Sequence, residues 1–222
     1  MRLRNIPGAE EKISSSGFVV QDPALFRGNW KAGCFGNDAP LALEIGCGKG
    51  AFLMEKAALE PDRNFLGIEK MSSVLLRAVE KRELAPELAN LFFMRCDAES
   101  LPEIFAPGEV DAIYLNFSDP WPKDRHKKRR LTSREFLARY ENVMSGNAVL
   151  EFKTDNADLF AFSVAELREK QWEILALTED LHRSPLNEGN VMTEYEKRFS
   201  LLGNRICKLA AKPPAKKQRE IC

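Results

Sequence analysis

The sequence predicts an α/β fold: a doubly wound, mostly parallel sheet closed by a C-terminal antiparallel hairpin. Three observations predict it. Apolar runs of strand length recur five times between residues 41 and 152, helix-length stretches separate them, and the first run passes through a glycine-rich turn directly into a helical stretch. Strands alternating with helices make βαβ units, whose crossover connections leave the strands parallel. The runs are nearly continuous rather than alternating, so both faces of the sheet are expected to be covered.

Each element has a local reason. Residues 1–40 mix glycine, serine, proline and charge with little periodicity, and read as an extended or partly helical N-terminal arm. Strands follow at LALEI (41–45), NFLGIE (64–69), LFFMRC (91–96), DAIYLNF (111–117) and AVLEF (148–152), with helices over 50–60, 72–85, 132–145 and 156–171. Thr132 and Glu135 spell a T-x-x-E capping box. Phe136, Leu137, Tyr140, Val143 and Met144 then mark one buried helix face, and Gly146 is the expected stop. Thr154 or Asp155 is expected to cap the next helix. WEILAL (172–177), YEKRFSLL (195–202) and RICKLAA (205–211) read as strands, the last two meeting at Gly203-Asn204 in a hairpin. The Pro/Lys-rich residues 212–222 read as a disordered basic tail, which leaves 41–211 as one domain.

Composition narrows the function classes. At 222 residues, 44% hydrophobic and 30% charged, the chain can bury a core, which excludes wholesale disorder. Lysine plus arginine equals aspartate plus glutamate, 33 against 33, a balance that argues against an indiscriminate nucleic-acid binder. The five cysteines contain no C-x-x-C pair and histidines number two, so no metal site is expected and a reducing cytosol fits. The opening residues lack the apolar core of a signal peptide, and no uncharged apolar stretch approaches the about 18 residues of a membrane span. The expectation is a soluble cytoplasmic protein, with monomer and homodimer both open.

The first strand ends in Glu44-Ile45-Gly46-Cys47-Gly48-Lys49-Gly50. Glycines at alternate positions allow a tight turn and a close approach of ligand to backbone. Glu69 ends the second strand, where such folds place a carboxylate for ribose hydroxyls, and Asp97 ends the third. The pattern is E-x-G-x-G-x-G rather than G-x-G-x-x-G, and an acid at Glu44 would repel a pyrophosphate. An acid-lined pocket suits adenosine joined to a positive centre, as in S-adenosylmethionine. The plainer alternative is a turn with helix-capping acids; for Asp97 an N-cap is the competing assignment.

The fourth strand ends in Asn116-Phe117-Ser118-Asp119-Pro120-Trp121-Pro122, a loop the two prolines should hold extended. From 123 to 130, six Lys/Arg stand against one Asp, a local field able to hold phosphates. Trp121 is open between stacking on a base and anchoring the loop.

LEIGCGKG, GIEK, NFSDPWPKDRHKKRRL, FKTDN and TEYEKRF, in this order, resemble the bacterial tRNA (guanine-N7-)-methyltransferases from about residue 41 to 200. The DPWPK-x-R-H-x-K-R-R block is the most specific part. The resemblance implies a Rossmann-like methyltransferase sheet and methyl transfer from S-adenosylmethionine to N7 of a tRNA guanine, guanine-46 of the variable loop. It implies that Glu44, Glu69, Asp97 and Asp119, with Gly46, Gly48 and Gly50, line the cofactor site, and that Asp119 is catalytic. It further implies that Lys123, Asp155, Thr193, Glu194, Tyr195 and Glu196 contact the substrate, while Arg125, His126, Lys127, Lys128, Arg129 and Arg130 touch RNA.

Guanine N7 carries an in-plane lone pair, so attack on a methyl needs no prior deprotonation. Asp119 is therefore expected to hold charge rather than act as a general base. Guanine's N1–H and N2 amine are adjacent donors that one carboxylate can accept. Glu196 is the first candidate for that role, with Thr193 adding a hydroxyl and Asp155 as the competing acceptor; the plainer alternative is that Thr193 and Glu196 only cap or pair within the last strands. The rivals are a methyltransferase acting on an exocyclic amine, one acting on a small molecule or protein, and a non-catalytic RNA-binding module of the same fold.

Overall fold

A computed structural model describes residues 6–215; the first five residues of the arm and residues 216–222 of the tail lie outside it. Strands β1 (Leu41–Ile45), β2 (Asn64–Glu69), β3 (Leu91–Arg95), β4 (Val110–Asn116) and β5 (Met144–Thr154) pair in parallel. Strands β6 (Glu173–Thr178) and β7 (Cys207–Lys212) complete one sheet in the order β3-β2-β1-β4-β5-β7-β6, with β7 antiparallel to both neighbours. The order reverses between β1 and β4, and the crevice at their carboxyl ends is where open α/β sheets bind ligands.

Both faces are covered, as the continuous apolar strands require. Leu41, Leu43 and Ile45 of β1 face one core and Ala42 the other, and all are buried. Helices α2 (Ala51–Leu59) and α3 (Ser72–Glu83) cover the second face. The first face is covered by α4 (Leu101–Ile104), α5 (Arg134–Val143) and α6 (Ala157–Glu169).

The arm folds onto this body. Helix α1 (Ala9–Ser15) buries Ala9 and Ile13 in the second core, and the Val20 N–H donates to the Phe93 carbonyl while the Phe93 N–H donates to Phe18. A short π-helix over Trp30–Phe35 buries Trp30 in the first core, its indole N–H donating to the Ile104 carbonyl at 3.0 Å.

Several local expectations are corrected. The box at Thr132 and Glu135 does not form, because the Thr132 hydroxyl bonds Ser163 at 2.6 Å. The free N–H of Arg134 at the start of α5 is instead accepted by Glu166 of α6 at 2.7 Å, a cap supplied from another helix. Asn156, not Thr154 or Asp155, caps α6 by accepting from the Leu159 N–H. Gly146 does not stop α5; it lies within β5, which begins at Met144.

The largest correction concerns residues 195–202, expected as a strand. They belong to helix α7 (Glu194–Leu201). Thr193 caps it, its hydroxyl accepting from the Glu196 N–H at 2.9 Å. At the other end Gly203, at φ 86, closes it with paired bonds, Gly203 N–H to Ser200 and Asn204 N–H to Phe199. Gly203-Asn204 is thus a helix stop, and the antiparallel C-terminal pair is β6 with β7 across a long connection. Among the described residues no helix is long and apolar enough to cross a membrane.

Glu166 is mostly buried and serves as both cap and partner of the Arg134 guanidinium. Replacing Glu166 with Ala should cost about 1–3 kcal/mol in urea unfolding, the range for a lost cap and a charged hydrogen bond. Glu169→Ala, which removes an exposed partner of the same arginine, should cost less than about 1 kcal/mol.

Candidate active site

The glycine loop joins β1 to α2 with Gly46, Gly48 and Gly50 all at positive φ, 75, 59 and 74°. A Cβ at Gly46 or Gly48 would meet nothing within 4 Å, so their backbone borders open space; one at Gly50 would lie 2.9 Å from Phe93 and Ala78. A cleft of about 190 Å³ opens above this loop, lined by Glu44, the three glycines, Asn116, Phe117 and Thr193 to Tyr195 among others.

Glu44 forms the floor of this cleft and is 2% exposed. Its Oε1 accepts from the Asn116 amide at 2.8 Å, while its Oε2 is buried with no partner. A buried carboxylate oxygen without a donor is costly in water-free surroundings and marks a place for a cation. Burial pushes the Glu44 carboxyl up to about 8, with Asn116 and Lys153 drawing it partly back. Glu69, at the end of β2, lies beside the glycine loop and lines neither this cleft nor the one next to it, accepting from the Gly48 N–H at 3.2 Å and the Met71 N–H at 2.9 Å, and burial raises its carboxyl as well. Asp97 does cap a short 3-10 turn through the Glu99 N–H and also pairs with Lys70. Burial opposes its ionisation, but those two partners hold its carboxyl below the ordinary value.

Asp119 lies in a neighbouring cleft of about 300 Å³, with Ser118, Pro120, Thr154, Asp155 and Asn156. Asp155 is half-buried there, its Oδ2 accepting from the Tyr195 hydroxyl at 3.2 Å and from Asn204 at 3.0 Å. Phe117 and Tyr195 line both clefts, their rings 4.8 Å apart and tilted by 37°, forming the wall between them.

Glu196 is not where a base-reading carboxylate should be. It is 0% exposed, and both oxygens are engaged: Oε2 accepts from Lys153 at 2.6 Å, and Oε1 meets Asn190 at 2.8 Å and His182 at 3.1 Å. Lys153 is buried too and also donates to Asn190 and Val191. The helical turn explains the difference, since Tyr195 points to the clefts while the next side chain points into the protein. Of the substrate-contact candidates, Asp155, Thr193, Glu194 and Tyr195 line a cleft, whereas Glu196 and Lys123 line neither.

The basic strip forms a short 3-10 helix, Asp124–Arg129. Trp121 adopts a positive φ of 42°, against the extended backbone the flanking prolines suggested. Arg130 fixes this turn by donating to the Pro120 carbonyl at 3.0 Å and the Trp121 carbonyl at 3.2 Å, with its guanidinium over Phe162. Arg129 lies over the Trp121 ring at 5.0 Å and His126 at its edge. Arg125, Lys127, Lys128 and Arg129 remain exposed. Sequence reasoning missed the roles of Lys153, His182, Asn190 and Phe117. For Glu196 a local signal existed, the T-x-x-E spacing from Thr193 that marks a helix start.

From the ordinary 4.5 to about 8, folded Glu44 holds a proton that the unfolded chain releases. Its contribution to stability is thus full below the lower value and lost as pH rises, at up to about 1.4 kcal/mol per pH unit. Glu44→Gln should flatten that part of the pH–stability curve of the ligand-free chain between pH 5 and 8. Separately, Glu196→Gln should destabilise by roughly 3–5 kcal/mol, while Lys153→Met combined with Glu196→Met should recover most of the loss, as measured by denaturant midpoints.

Residues 38–209 match the model of the family described as "Putative methyltransferase". A tRNA (guanine-N(7)-)-methyltransferase of Lachnoclostridium phytofermentans is 56% identical over 95% of this chain and 98% of its own length. Those of Brevibacillus brevis and Geobacillus thermodenitrificans are 48% and 49% identical over 95% and 96% of this chain and 98% and 99% of theirs. Among solved structures, an antibiotic-related methyltransferase superposes with a TM-score of 0.60 at 20% identity, covering 80% of this chain and 88% of that one. The 16S rRNA methyltransferase KamB gives 0.60 at 16% over 79% and 88%; both likenesses speak to the fold. With a family model spanning most of its length and near-full-length relatives at about half identity, the chain belongs to the tRNA (guanine-N7-)-methyltransferase family.

Proposed function

We propose that this chain transfers a methyl group from S-adenosylmethionine to N7 of a guanine in tRNA, with guanine-46 of the variable loop as its target and the cytoplasm as its setting. The observation that carries the reading is the pair of adjoining clefts. One holds a buried carboxylate oxygen without a donor; the other carries Asp119 and Asp155 and has the exposed basic helix following it in the chain.

The residues present fit the cofactor. Gly46 and Gly48 leave space along their backbone, Glu44 offers an unpaired oxygen to a cation, and Glu69, bonded to the Gly48 N–H, offers a carboxylate for hydroxyls beside the loop. Asp97 serves the same edge of the sheet. When bound, the cofactor supplies an electrophilic methyl on a sulfonium.

The chain's task is then alignment and charge. No proton leaves the base before attack, so Asp119 works by offsetting the positive charge that grows on guanine as the new bond forms. Asp155 takes the role of accepting guanine's N1–H and N2 amine, because both oxygens of Glu196 are engaged elsewhere. Thr193, Glu194 and Tyr195 border the cofactor, and Tyr195 borders the base as well. Lys123, Arg125, His126, Lys127, Lys128 and Arg129 hold the RNA backbone, and Arg130 holds the loop that carries Asp119.

Incubating the purified chain with labelled S-adenosylmethionine and unmodified tRNA, then digesting the RNA, should yield 7-methylguanosine from the variable loop. Label on an exocyclic amine, or none at all, would overturn the reading. Asp119→Asn should slow single-turnover transfer about 10²- to 10³-fold, as for loss of one preorganised charge, and leave the shape of the pH–rate profile unchanged. Disappearance of an ionisation from that profile would assign Asp119 as a base instead.

A further inference from the structure

Phe117 follows the last residue of β4 and adopts φ 53°, a left-handed conformation unfavourable for a residue with a Cβ. Two contacts hold it there. Its N–H donates to the carbonyl of Lys153 at 2.8 Å, and its ring lies 4.8 Å from that of Tyr195. Tyr195 in turn stacks on Phe199 at 4.0 Å and 21° between planes, so three rings run from the end of β4 along α7. The same ion pair holds the first two rings of this row. Lys153 receives the Phe117 backbone, and Glu196, next to Tyr195, is bound to the Lys153 ammonium.

Strain of this kind persists where the surroundings over-determine it, and it often marks a working position. Here the strained turn sets an aromatic ring into the wall shared by the two clefts. The transferred methyl has to pass between those clefts. The N7 lone pair lies in the plane of guanine, so in-line attack requires that plane to be held fixed relative to the cofactor cleft. A ring in the wall does this by stacking.

We propose that Phe117 is the residue on which the target guanine stacks, so that it sets the plane of the base and touches it during transfer. The proposal rests on the guanine-N7 reading. In the step, the N7 lone pair forms the new C–N bond while the C–S electron pair goes to sulfur; no proton moves, and the base ends with a positive charge. Attraction between an aromatic face and the base therefore grows as the bond forms, the condition for accelerating the step rather than only tightening binding.

The test uses the full chain with Phe117→Leu, Phe117→Tyr and a series carrying mono-, di- and trifluorinated phenylalanine at 117. Phe117→Leu should slow single-turnover methylation of unmodified tRNA by about 10- to 100-fold while S-adenosylmethionine affinity moves by less than about 3-fold, and Phe117→Tyr should restore most of the rate. Across the fluorinated series, which keeps the shape of the ring, the rate should fall stepwise as fluorine withdraws charge from its face. That series carries the test by itself if Phe117→Leu does not fold. A wild-type rate in Phe117→Leu, or a flat fluorinated series with an active wild type, would overturn the stacking role alone. Absence of 7-methylguanosine with the wild type would overturn the function reading and the stacking role with it.

Discussion

The buried pair of Lys153 and Glu196 ties the last strand of the parallel sheet to a helix that follows it by some forty residues. Two charges taken out of water are tolerated only when each is paired and further hydrogen-bonded. Here Asn190, Val191 and His182 complete the set. The consequence is positional. Helix α7 is held across the carboxyl ends of the strands, so Thr193, Glu194 and Tyr195 roof the cleft that the glycine loop floors. Without that pair the sheet would still form from its apolar strands, but the wall between the two clefts would have no fixed second half.

Charge is distributed to match. The zero net balance of the chain is a sum over opposite regions. Glu44, Glu69, Asp97, Asp119 and Asp155 crowd the carboxyl edge of the sheet, and burial holds the first two away from their ordinary titration. Immediately after Asp119 the chain turns into a helix whose cations face solvent. The first region suits a small cationic ligand and the second a polyanion, which is why an argument from net charge against nucleic acid fails for this protein.

Much of this was legible in the residues themselves. The spans of β1 and β2 follow from nearly continuous apolar runs, because a strand buried on both faces needs no partner information to declare itself. The glycine loop was legible for a different reason: three alternate residues that must be at positive φ leave glycine as the natural choice. Local signals failed wherever a distant group took over a local task. Thr132 and Glu135 spell a cap, yet Ser163 and Glu166 from α6 compete for those partners and win. Tyr195 and Phe199 resemble strand residues, but their four-residue spacing puts both rings on one helical face, where they stack.

The sequence by itself determined the alternation of strand and helix, the acid at the end of each early strand, the loop of glycines and the basic strip, since each is written in consecutive residues. Only the tertiary structure decided which acids face a cleft. Glu196 and Asp155 are both carboxylates near the C-terminal end of the site, and the T-x-x-E spacing before Glu196 marks a helix start without fixing where its side chain points. Their roles diverge because a helical turn sends Glu196 inward to a lysine 43 residues earlier, while Asp155 stays at the open end of β5 beside the Tyr195 hydroxyl. Pairing across that distance depends on how the sheet and α7 pack, and packing is the one quantity a linear pattern of residues does not contain.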